Sequence, residues 1–247
     1  MTSAVQAPAT QTPPKAGKGV GAALHSSVGF KLLMAVTGLA LIGFLVAHMA
    51  GNLLVFAGQD AMNTYAKGLK SLGGVLWAMR GGLLLCFGVH VAAAVRLAHL
   101  NKAARPERYR YEETLTASLA SRTMIWTGLL VLAYAAFHLA HLTLGLTHPE
   151  HFRLVDAQGR HDVFSMVVRG FQSPAVSLTY VAAMLATAVH LSHGFGSLWR
   201  TLGVSCGKWR QIFHTLGVLA AAALFVGFSS IPVAVWAGLV KLPGGAQ

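Results

Sequence analysis

The chain has 247 residues, 55% of them hydrophobic and only 11% charged, with a formal net charge of +12. Soluble domains carry about 25% charged residues, so this composition cannot cover a globular surface and is that of a membrane protein. Its Lys and Arg residues cluster between apolar runs, which fits membrane topology and disfavours a nucleic-acid-binding face.

Residues 1–24 are rich in Ala, Pro, Thr and Lys, lack the apolar core of a secretory signal, and read as a flexible tail. The "GKGVG" at Gly17 has neither a preceding strand nor a following GK[ST], so it is a linker and not a phosphate loop. The remainder, 25–247, reads as one all-α integral membrane domain. A bilayer-spanning helix needs about 20 apolar residues. Five stretches qualify, at about 30–57, 76–99, 123–146, 175–198 and 212–240. Pro232 should kink the fifth or end its last turn.

The Lys and Arg bias sets the direction. Lys15, Lys18 and Lys31, then Arg96, Lys102, Arg105, Arg108 and Arg110, then Arg200, Lys208 and Arg210 fall on one side. That side should be cytoplasmic, with the N-terminus inside and the C-terminus outside. The first opposite connection holds Asp60, Lys67, Lys70 and Arg80, and the other, about 147–174, mixes both signs. Within the latter, "HDVFSMVVRGF" has the pattern of a short amphipathic helix or turn at the interface.

Cys86 and Cys206 form no CxxC or CxxCH motif, so covalent haem attachment, iron–sulfur clusters and zinc knuckles have no support. No Asp or Glu lies within a span, and the polar residue that recurs there is histidine. Intramembrane ionisable residues are costly and mark functional sites. His48, His90, His138 with His141, and His190 with His193 lie in the first four spans. Imidazoles from facing helices ligate haem iron, provided that the two lie at one depth.

Counted from polar anchors, His48 lies 17 residues from Lys31 and His138 lies 16 from Arg122, about 24–25 Å in at 1.5 Å per residue. His90 lies 11 residues from Asn101 and His190 lies 10 from Arg200, about 15–16 Å in. The four form two matched pairs about 9 Å apart along the membrane normal. His141 and His193 match less well. Gly38, Gly43, Gly81, Gly82, Gly88 and Gly128 would let a macrocycle approach the backbone, or serve ordinary close helix packing.

The stretches "HMAGNLLVFAGQDAMNTYA", "HVAAAVRLAHLNKAARPERYRY", "SRTMIWTGLL…FHLAHL" and "HLSHGFGSLWRTLG" resemble the di-haem cytochrome b anchor of succinate dehydrogenases and fumarate reductases. The likeness covers nearly the whole chain after residue 25. It implies five helices enclosing two haem b groups in a bacterial cytoplasmic membrane, with electrons passing between an iron–sulfur subunit and membrane quinone. It implies a flavoprotein subunit and an iron–sulfur subunit as partners on the cytoplasmic face. Carried onto this sequence, His90 and His190 would hold the proximal haem and His48 and His138 the distal one, which are the pairs that the depth count gives. His141, His193, Ser27, Lys31 and Arg122 are candidates for supporting roles, near a propionate, a quinone or a carbonyl. The "TG" that precedes His138 by ten residues favours His138 over His141 as the ligand. The chain has no flavin or iron–sulfur motif of its own, so it could not oxidise succinate alone. Two alternatives stand beside this reading. One is the cytochrome b of a membrane hydrogenase or formate dehydrogenase, and the other is a histidine-lined transporter.

Overall fold

The computed structural model describes residues 26–104, 122–204 and 206–244. The tail and the basic positions Lys15, Lys18, Arg105, Arg108 and Arg110 therefore lie outside the described residues. Among the described residues the chain is helical, apart from an isolated antiparallel bridge between Val155 and His161. Five helical spans are long and apolar enough to cross a membrane.

The first, α1, runs Ser27–Asn52 and continues as a tight turn through Leu53–Ala57. Its start is fixed by Ser26, whose Oγ accepts the Gly29 N–H at 3.1 Å, a bond that satisfies one orphan donor of the first turn. Then follow α2 (Gln59–Ser71), α3 (Gly74–Ala103) and α4 (Met124–His138). After α4 the chain makes a π-type turn over Leu139–Thr143, closed by Leu144 N–H donating to the Leu139 carbonyl at 2.8 Å. The short α5 (Pro149–Phe152) and α6 (Val163–Gln172) precede the long α7 (Pro174–Thr201) and α8 (Lys208–Trp236).

Several expectations shift. The third span is not one helix to residue 146: the π-type turn widens it after His138, and Gly145, at φ +64°, turns the chain away. The fifth span passes through Pro232 and ends at Trp236 rather than at residue 240. Proline removes a single backbone donor, and so near a helix end it interrupts little of the ladder. The first opposite connection contains the helix α2, which the charge pattern alone did not reveal.

In the bundle α1 packs along α3, α4 along α7, and α8 along α7, while α1 also meets α7. Exposed Leu39, Leu84, Leu85, Leu129, Leu130 and Val226 give the spans an apolar outer surface suited to lipid. Tight packing is concentrated at one end. There α6 is wedged between the ends of the spans and α2, with Phe164, Met166, Val167, Val168 and Phe171 buried against Val55, Met62, Tyr180, Ile231 and Val235. The segment expected to be a short amphipathic helix is one, buried against the span ends, and we call this the capped end. The opposite end, with Lys31, Arg122, Arg200 and Lys208, is the basic end.

Candidate functional site

Four spans bring their histidines inward in two groups. Near the capped end, His48 of α1 and His138 of α4 approach edge to face, with ring centroids 5.8 Å apart and planes at 87°. Phe44 stacks on His48 at 5.1 Å, and Phe228 of α8 lies 5.9 Å from it. Toward the basic end, His90 of α3 and His190 of α7 each meet a threonine of the helix packed against their own.

Each ring of the second group is held by a threonine. Thr37 Oγ1 is 3.0 Å from His90 Nδ1, and Thr127 Oγ1 is 3.2 Å from His190 Nδ1. The neighbouring glycines give the rings room. A Cβ at Gly38 would sit 3.5 Å from His90 Cε1, and one at Gly128 3.3 Å from His190 Cε1. Among the described residues, a Cβ at Gly43, Gly81, Gly82 or Gly88 would meet nothing within 4 Å.

The contact with Thr37 sets the His90 ring level with that residue, 11 residues before His48 on α1. At 1.5 Å per residue the two groups are about 16 Å apart along the helix. The anchor count gave about 9 Å because its anchors lie at different heights: with His90 level with Thr37, Asn101, 11 residues further along α3, falls near the level of Ser26 rather than of Lys31.

His138 and His141 part company here. Tyr180 Oη of α7 is 3.3 Å from His138 Nδ1 and 2.9 Å from His141 Nδ1. His141 is buried, with 3% exposure, and packs against α6 so closely that a Cβ at Gly170 would lie 3.0 Å from its Nε2. It touches the His148 ring at 5.4 Å, which in turn stacks on His151 at 5.0 Å. Outside the membrane span, burial holds His151 below the usual histidine range, although Glu150, 3.7 Å away, pulls the other way. His193 is half-buried, three residues beyond His190 on α7. Ser27, Lys31 and Arg122 are exposed at the basic end, and it is Ser26, not Ser27, that caps α1.

Of the residues that meet these rings, Thr127 stands out in the sequence only by the "TG" before His138, and Thr37 and Tyr180 do not stand out on their own. A signal for the threonines exists: "MAVTG" at 34–38 and "MIWTG" at 124–128 are the same motif 90 positions apart, each followed by a histidine 11 residues after its threonine. The pair α1 and α3 thus repeats as α4 and α7. Tyr180 has no such signal.

Among the described residues no group of three or more His, Cys, Asp or Glu side chains could hold a metal ion. Two imidazoles can hold a metal that brings its other ligands with it, as in a macrocycle. The donor set and the small residues beside it fit such a group. No family model, curated protein or solved structure matches the chain.

Proposed function

We propose that this chain is the membrane anchor of a succinate dehydrogenase or fumarate reductase, carrying electrons between an iron–sulfur subunit and membrane quinone through two bis-histidine b haems. The reading is supported most by one observation: imidazoles from two separate helices, His48 and His138, face each other 5.8 Å apart inside a span bundle. If a haem is bound there, His48 and His138 would hold its iron. His90 and His190 supply the second pair.

When bound, a b haem supplies a one-electron carrier inside the bilayer. The chain's own residues do the rest. His48, His90, His138 and His190 offer nitrogen lone pairs, Thr37, Thr127 and Tyr180 orient rings through Nδ1, and Phe44 and Phe228 exclude water around His48. Lys31, Arg122, Arg200 and Lys208 would face the flavoprotein and iron–sulfur subunits on the cytoplasmic side of a bacterial inner membrane.

Mild-detergent purification from native membranes tests this. The chain should bring with it a flavoprotein and an iron–sulfur protein, and succinate should reduce its haem. A preparation whose haem is reduced by hydrogen or formate and not by succinate would overturn the assignment.

A further inference from the structure

We infer that Thr37 and Thr127 are a matched pair of positioning residues, each fixing the proton of the imidazole it faces on Nδ1 and leaving Nε2 free to bind metal. The inference rests on the two-haem reading above and concerns the His90/His190 pair alone.

A threonine hydroxyl has one hydrogen and two lone pairs. Thr37 Oγ1 lies 2.6 Å from the Leu33 carbonyl and 3.3 Å from that of Met34. Thr127 Oγ1 lies 3.0 Å from the Thr123 carbonyl and 3.2 Å from that of Met124. A carbonyl only accepts, so each hydroxyl hydrogen is directed back along its own helix. The oxygen then turns a lone pair to the ring, and the ring nitrogen facing it must be the donor. The remaining nitrogen, Nε2, keeps its lone pair.

The same device on both helices is more than a packing contact. Gly38 and Gly128 follow the threonines and bring the backbone close to each ring, so both imidazoles meet their threonines in the same way. An acceptor on Nδ1–H also makes the imidazole a stronger donor to the metal. A stronger donor favours the oxidised iron, so the pair lowers the midpoint potential of the haem that it serves. The His48/His138 pair is built differently, with a phenol shared between His138 and His141.

The test is an optical redox titration of the full chain in native membranes. Valine keeps the shape of threonine and removes the acceptor, whereas serine keeps the acceptor. Thr37→Val and Thr127→Val should each raise the midpoint of the same one of two haems, or lose that haem, while Thr37→Ser and Thr127→Ser keep both near the unsubstituted values. Two haems whose potentials neither valine variant moves would overturn the inference and leave the functional reading standing. So would valine variants acting on different haems, or serine variants behaving as valine does. An unsubstituted chain without haem would overturn the functional reading and this inference together.

Discussion

His138 and His141 share the Tyr180 hydroxyl and differ in what surrounds Nε2. His141 has its Nε2 against the backbone of α6 at Gly170, whereas the His138 ring faces His48. A phenol has one hydrogen, so Tyr180 can donate to one imidazole and accept from the other. The shorter contact, 2.9 Å, is to His141. Accepting from His138 would leave the His138 Nε2 as a ligand. Replacing His138 by Ala should therefore abolish one of two low-spin haem signals in the membrane spectrum, while His141→Ala should keep both and at most shift a potential. The reverse pattern would make His141 the ligand. Residues three apart share a helix face, so spacing alone could not separate these two. The depth count and the preceding "TG" favoured His138. What separates the two surroundings in the structure is α6, a segment about 30 residues downstream of His141 that packs against the His141 ring.

At the scale of elements, α6 is held by a polar network rather than by its apolar face alone. Asn63 of α2, fully buried, donates to Asp156 at 3.0 Å and to Asp162 at 2.9 Å, and its own oxygen accepts the Phe164 N–H at 3.0 Å. Asp162 caps α6 by accepting the Ser165 N–H, and Arg160 joins Asp156 and Asp60 at 2.7 and 2.9 Å. Desolvation works to raise both carboxyls, but their hydrogen bonds outweigh it and bring Asp156 down to about 2. Asn63→Ala should destabilise the capped end by about 1–3 kcal/mol for each buried partner left unsatisfied. Asn63→Asp should be worse at neutral pH, because it sets another carboxylate against Asp156 and Asp162, and should recover partly in acid. Thermal melts of the solubilised protein would check both.

The pH dependence of the unsubstituted cap follows from the same groups. The folded carboxyls titrate below the unfolded value of about 3.9. Their stabilisation is complete above that value and is lost as pH falls through the folded one. Burial holds His161 below the usual 6.5, with Lys70 adding to the effect and Phe152 and Asp162 opposing it. Its contribution is present above 6.5 and declines as pH falls. Melting of the capped end should therefore ease in two stages, first below about 6.5 and again below about 4. A cap whose melting is unchanged from pH 7 to pH 3 would contradict this. The amphipathic pattern of "HDVFSMVVRGF" made the short helix legible in the sequence. The network that buries it was not, since it joins Asn63 to side chains 93 and 99 positions away.

The whole molecule is two helix pairs, α1 with α3 and α4 with α7, backed by α8 and plugged at one end by α6. The number of spans and their approximate limits could be read from apolar length, because the bilayer thickness fixes that length physically. The distance between histidine pairs could not, because it depends on helix stagger, which no anchor residue encodes. On the proposed orientation Lys102 and Lys208, both exposed, lie on the side of the soluble subunits. Amine-reactive cross-linking of the intact complex should join them to the iron–sulfur protein. Cross-links to that protein only from Lys67 and Lys70, in the opposite connection, would mean that the chain is inserted the other way.

If four histidines from four spans hold two haems, a pyridine haemochrome assay on the purified full chain, with protein quantified by amino-acid analysis, should find about two non-covalent b haems per chain, extractable by acidified acetone because no CxxCH is present. The His48→Ala and His90→Ala variants should each hold about one. A fully expressed, folded chain with no haem would show that these histidines serve another purpose. A chain with a single haem, lost entirely with either variant, would contradict the pairing.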